Sequence, residues 1–260
     1  MQRTALLVAY NGEAYHGWQL QNPDIPTVQR DLNVAVNTVA DETVTLFCAG
    51  RTDTGVHASK QVVHFDAVNP RPDKAWVMGV NAHLPDDISV HWAGAVSSDF
   101  DARRTATARH YLYAIHNARV RSALMPGYLT KDHRELDAGL MHEAAQALLG
   151  ENDFSSFRAA NCQSTTPMRN VMAVSVERKG ELVIVQIIAN AFLHHMVRNI
   201  VGSLVRIGRD MESSSWISML LERRDRTRAG MTAPAHGLYL TGVAYPESFG
   251  LTPPCYKARV

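Results

Sequence analysis

Two stretches of this chain read in one and the same order, strand, helix, strand, strand, helix, strand, and that doubled order limits the fold more than any other feature. In the first stretch an apolar run from Thr4 to Tyr10 is closed by Asn11-Gly12, and Pro26-Thr27 opens a helix with Val28, Leu32, Ala35, Val36 and Val39 on one face. Strands over 43–49 and 61–66 follow. Asp73 then caps a helix carrying Trp76, Val77, Val80 and Leu84, and a strand over 88–93 ends the set. The second stretch starts with a strand over 110–116, on which Tyr111 and Tyr113 share a face. Asp137 caps a helix bearing Leu140, Met141, Ala144, Ala145 and Leu148, with Gly150 at its end. Strands over 171–178 and 182–189 meet at Lys179-Gly180, helices cover 194–208 and 215–223, and a strand over 236–245 closes the set.

The expected architecture is therefore α+β: two tandem ferredoxin-like (βαββαβ) halves, with mainly antiparallel sheets flanking a central cleft. The halves run over 1–104 and 105–246, and 247–260 is a loosely held tail. No Gly/Ser-rich linker separates them, which favours two sheets fused side by side.

With 260 residues, 46% of them hydrophobic, the chain can bury a substantial core. No apolar run approaches the ~20 residues of a membrane span, and Met1 to Val8 passes into a strand pattern without a signal-peptide core, so a cytoplasmic protein with no membrane partner is expected. Cys48, Cys162 and Cys255 are too few and too scattered for a disulfide framework or a cysteine zinc site. There is no H-E-x-x-H, and the adjacent His194 and His195 would point about 100° apart on a helix, so no metal is expected. Net charge is only +1, but from Asp101 to Arg121 the five arginines 103, 104, 109, 119 and 121 face a single acid, Asp101. Such asymmetry fits a phosphate backbone as well as it fits a solvated basic face.

The most suggestive place for chemistry is the loop between the strands at 43–49 and 61–66. Gly50 and Gly55 bracket it and leave Arg51, Thr52 and Asp53 to project. On the helix at 194–208, Val197, Ile200, Val201 and Leu204 form an apolar stripe, while Arg198, Gly202, Arg206 and Arg209 fall within an arc of roughly 80° on another side.

Seven blocks, in order along the chain, resemble the tRNA pseudouridine synthase A family. They are Tyr10-Asn11-Gly12 with Gly17-Trp18-Gln19, the run Gly50 to His57, Asn81 to Ile88, Ala108 to Tyr113, Asp153 to Phe157, Asn190 to Gly202, and Gly237 to Leu240. The resemblance implies the pseudouridine synthase fold and an isomerase converting uridines 38, 39 and 40 of the tRNA anticodon arm to pseudouridine. It implies Asp53 as nucleophile, Arg51, Tyr111 and Arg198 around the uridine, no cofactor, and a homodimer as the working form. Under that reading Arg103, Arg104, Arg109, Arg206 and Arg209 are the candidates for tRNA backbone contacts. Thr54 and Arg104 depart from the family's usual residues without removing a catalytic group.

Two other classes compete. A non-catalytic RNA-binding protein of two ferredoxin-like modules would share the topology, but neither half carries the aromatic RNP signature, and a pure binder has no need of a loop-borne Asp between glycines. A glycosidase-like enzyme would want a second carboxylate; Asp86-Asp87 is the nearest pair and reads as a strand-entry turn.

Overall fold

The computed structural model describes residues 1–251 except Pro23 and Leu124. It forms two compact units, Met1–Thr107 with the chain from Leu240 on, and Ala108–Tyr239. The secondary structure is α+β with mostly antiparallel strand pairs, as the sequence indicates.

The first unit holds β1 (Gln2–Tyr10), α1 (Val28–Ala40), β2 (Phe47–Cys48), β3 (His57–Ala67), α2 (Asp73–His83) and β4 (Ile88–Ala95). β1 lies between β4 and β3, antiparallel to both. The Thr27 hydroxyl caps α1 by accepting from the Arg30 N–H, and Val28, Leu32, Ala35 and Val36 are buried on its inner face. Gly79 of α2 faces Val39 so closely that a Cβ there would lie 3.1 Å from a valine methyl, which lets the two helices pack tightly.

Three local expectations are corrected. The strand expected over 43–49 shrinks to β2, because the Asn37 side chain takes the Val44 N–H and the Gln29 side chain donates to the Leu46 carbonyl, doing the work of a strand ladder. Asp73 does not cap α2 with its side chain; Pro72 is the N-cap, and Asp73 sits in the first turn, where the helix dipole favours an acid. The segment after Pro246 starts as an ordered turn, with Phe249 edge-on to Phe100 at 5.5 Å; residues 252–260 of the expected tail lie outside the described residues.

His64 of β3 shows how burial in this unit acts on charge. It is buried, its Nδ1 accepts from the Ala102 N–H at 3.1 Å, and its ring stacks on Phe47. Burial lowers its pKa below the ordinary histidine value, Arg3 adds to the effect, and Asp101 and Asp66 oppose it. The unfolded chain therefore binds a proton that the folded chain refuses, so stability falls as pH drops through about 6.5 and levels off below the folded pKa. Thermal midpoints at pH 7.5 and 5.5 should differ less in His64→Asn than in the wild type, since Asn keeps an acceptor near Nδ1 but does not titrate.

The second unit holds β5 (Ala108–Asn117), β6 (Thr130–Asp132), α3 (Ala138–Ala145), β7 (Gly150–Asp153), β8 (Met168–Lys179), β9 (Leu182–Ala189), α4 (Met196–Gly208) and α5 (Trp216–Arg223). Its strands run in the order β5-β9-β8-β7, with β6 parallel to β5. The Asp137 carboxylate caps α3 through the Leu140 N–H. The helix expected over 194–208 begins at Met196, because His195 takes a left-handed conformation (φ 61°) at the N-cap. The closing strand, β10 (Leu238–Ala244), belongs to the first unit from Leu240 on; there the Thr107 N–H bonds the Ala244 carbonyl and the Tyr245 hydroxyl bonds the Ala102 carbonyl.

Candidate active site

The loop between β2 and β3 is held from below by the segment that follows β1. The Trp18 N–H donates to the Thr52 carbonyl at 3.0 Å, the Gly55 N–H to the Tyr15 carbonyl at 3.3 Å, and the Val56 N–H closes a turn on the Asp53 carbonyl at 3.1 Å. Gly55 takes φ +77°, which glycine adopts without penalty. The seat works only with glycines at its contact points. A Cβ on Gly12 would lie 2.0 Å from the Val56 carbonyl oxygen, and one on Gly17 (φ +89°) 2.7 Å from that of Thr52. The Gly12 N–H in turn donates to His57 Nδ1.

The seat itself is anchored. Tyr15 donates its hydroxyl to Asp87 at 2.6 Å, and the Asn11 N–H bonds the Asp87 carbonyl. Burial first, and the Asp87 carboxylate next, push the Tyr15 phenol far above its ordinary pKa. Asn81 exchanges two bonds with the Val90 backbone and ties α2 to β4. The blocks 10–19 and 81–88 are thus the support of the Asp53 loop.

On this loop Arg51 is exposed, Thr52 is buried and Asp53 is half-buried. At its base, burial pushes the Cys48 thiol up to about 12 against the fields of Arg51 and Arg103, which both bear on it. Arg103 and Arg104 are exposed, and both of their backbone N–H groups donate to one oxygen of Asp101. Burial alone would raise the Asp101 pKa, but those two amides, with the fields of His64 and Arg104, together hold the carboxyl below the usual range.

In the second unit the Tyr111 ring is half-buried and meets Phe192 edge-on at 4.9 Å. Tyr113, two residues along β5, is fully buried; its hydroxyl bonds Thr130 Oγ1 and the Pro234 carbonyl, so this tyrosine holds structure. Burial raises the Tyr113 phenol's pKa, and the Arg198 guanidinium works against that rise. Arg198 Nε donates to the Ala233 carbonyl at 2.8 Å, while the Ala233 N–H bonds the Arg198 carbonyl.

One turn later, Gly202 lets the 230–234 segment cross α4 at backbone contact: a Cβ on Gly202 would lie 1.7 Å from the Met231 carbonyl oxygen. Gly202 therefore belongs to packing. The 230–234 segment, which orients Arg198, is the part of this region that sequence reading misses; Gly230 and Pro234 were its only signals.

The remaining arginines have visible tasks. Arg109 is buried and donates to the Asn190 carbonyl. Arg206 pairs with Glu212 at 2.7 Å, and Arg209 pairs with the buried Asp132 through two bonds to one carboxylate oxygen. A phosphate at either of the last two positions competes with a carboxylate already in place.

The glycine-seated Asp loop and the α4 block of the second unit are matched in known proteins. Residues 6–103 and 144–246 match the tRNA pseudouridine synthase family. The chain belongs to this family, whose members are isomerases that convert uridine to pseudouridine in tRNA.

At the level of single proteins, it is 55% identical to tRNA pseudouridine synthase A of Shigella boydii over 97% of this chain and 93% of that one. It is 54% identical to the proteins of that name from Escherichia fergusonii and Salmonella arizonae, with the same coverage. A chain of the archaeal box H/ACA sRNP Nop10-Cbf5 complex aligns at TM-score 0.36 and 12% identity, covering 75% of this chain and 45% of that one, too loosely to carry an argument. Family membership sets aside the reading as a non-catalytic RNA-binding protein. No helix among the described residues is long and apolar enough to cross a membrane.

Proposed function

We propose that the protein isomerises uridines 38, 39 and 40 of the tRNA anticodon stem-loop, with Asp53 as nucleophile. The observation that carries this reading is the Asp53 loop: a half-buried carboxylate on a turn fixed by backbone bonds from Tyr15, Trp18 and Val56 and seated on Gly12 and Gly17. Precise aim of that kind is what bond-making by a side chain requires.

The reaction breaks the N1–C1′ bond, turns the uracil and joins C5 to C1′, while the C5 proton leaves and N1 gains one. Its composition is unchanged, so no redox partner or group donor is needed. The Asp53 carboxylate starts it by attacking the sugar or the base, or by removing a sugar proton. Arg51 and Arg198 hold charge in place around the uridine, and Tyr111 stacks on the extruded uracil and offers its phenol as a path for the C5 proton.

Extruding the base costs about a few kcal/mol, offset by phosphate contacts. Exposed Arg103 and Arg104 are the best placed for these, followed by Arg109, Arg206 and Arg209, which must first leave or share their present partners. The working form is a homodimer in the cytoplasm.

Anticodon-arm transcripts with a single uridine at 38, 39 or 40 test the positional claim. After incubation, carbodiimide treatment and primer extension should give a stop at each of the three positions and none when that uridine is cytidine. Stops confined to uridines outside this arm would overturn it.

A further inference from the structure

We propose that Gln61 is a positioning residue for the reaction: its side-chain amide holds the Gly50 backbone and, together with the Tyr10 hydroxyl, the Thr52 side chain, on either side of Arg51, and so sets the aim of Asp53. The proposal rests on the reading of Asp53 as nucleophile.

Gln61 is completely buried in β3, where a primary amide is costly unless every polar atom is paired. Its Nε2 donates to the Gly50 carbonyl at 2.6 Å, and the Gly50 N–H donates back to its Oε1 at 3.3 Å. This two-bond grip on one residue defines which end of the amide is which. Nε2 also reaches the Tyr10 hydroxyl at 3.4 Å, and that hydroxyl bonds Thr52 Oγ1 at 2.8 Å. Tyr10 and Thr52 are buried too.

The pairing of β1 with β3 shifts register between Val8 and Tyr10, the kind of irregularity that re-aims a side chain beside an active site. One buried network therefore grips Gly50 before Arg51 and Thr52 after it, one residue short of Asp53. The backbone bonds to Tyr15 and Trp18 hold the far side of the loop; the amide of Gln61 and the hydroxyl of Tyr10 hold the near side. Neither residue points at solvent, so their contribution is to rate rather than to tRNA affinity, which arises from phosphate contacts elsewhere.

The test is single-turnover tritium release from tRNA tritiated at uridine C5, with enzyme in excess. With folded enzyme both in excess over tRNA and saturating, shown by a rate constant that no longer rises with enzyme concentration, the observed rate constant does not depend on how much of a variant is folded. Gln61→Leu removes the amide at similar volume and should lower the rate constant about 10- to 100-fold, with tRNA binding changed by no more than about two-fold. Tyr10→Phe and Thr52→Val both delete the bond between the two hydroxyls, and Tyr10→Phe removes the contact with Gln61 Nε2 as well. Each should slow the step roughly 3- to 10-fold, and the double variant no more than the slower single one, because the bond can be lost only once.

Should Gln61→Leu fail to fold, this cycle carries the test: additive losses, or none, overturn the proposal. A Gln61→Leu rate constant equal to wild type, with only a lower thermal midpoint, overturns it as well and leaves a structural amide. Asp53→Asn in the same assay separates the two readings. If it is active, the nucleophile reading fails and takes this proposal with it; if it is inactive beside a wild-type rate for Gln61→Leu, only the positioning role fails.

Discussion

Asp53→Asn is expected to fold, to bind tRNA as the wild type does, and to isomerise uridine at least about 10³-fold more slowly. The substitution keeps the size of the side chain and removes only its charge and nucleophilicity. The backbone bonds that fix the turn, through Thr52, Asp53, Gly55 and Val56, do not use the carboxylate. Asp53→Glu keeps the charge but advances the carboxylate by one methylene. A displacement near 1 Å from a reacting atom costs about 10²-fold, so Glu should fall between Asn and wild type. In steady state both losses should appear in kcat, with KM for tRNA little changed. A large rise in KM at constant kcat would instead mark Asp53 as a binding group.

Gly12→Ala is expected to be a severely damaging substitution in the seat of the Asp53 loop. The added Cβ would stand 2.0 Å from the Val56 carbonyl oxygen, against backbone that is itself part of the Asp53 turn, so no side chain can swing aside to make room. The segment after β1 and the Asp53 loop must move apart by about 1 Å or more, which strains the Trp18–Thr52 and Tyr15–Gly55 bonds. Turnover should fall by about 10²-fold, and the thermal midpoint should drop by several degrees, corresponding to roughly 2–3 kcal/mol. Gly150→Ala, at the start of β7, is the control for an added methyl where there is space: a Cβ there meets nothing within 4 Å beyond its own chain neighbours, so only the cost of its positive φ remains.

The helices and the central strands were legible in the sequence because their signals are local. Thr27 and Asp137 cap α1 and α3 as their positions suggest, and Lys179-Gly180 turns β8 into β9. The Asp53 loop was legible too, since two glycines bracket it, but of the three residues expected to project Thr52 is buried against the Tyr10 hydroxyl. What stayed hidden depends on partners distant in sequence. Residues 43–46 look like strand but find their bonds in the side chains of Asn37 and Gln29, and the chain from Leu240 returns to the first unit through contacts with Ala102 and Thr107. Arg206 and Arg209 share a helix face that reads as basic; Glu212 and Asp132, which pair with them, cannot be read from that face. Gln61 is the clearest case. A glutamine in a strand reads as a solvent-facing residue, yet it is fully buried on the residue that begins the loop.

The measurement that bears most directly on this account is tritium release from anticodon-arm tRNA tritiated at uridine C5, run with wild type and Asp53→Asn while tRNA binding is followed in the same samples. Wild type should release tritium and Asp53→Asn none, with binding retained by both. Release at the wild-type rate by Asp53→Asn would contradict it.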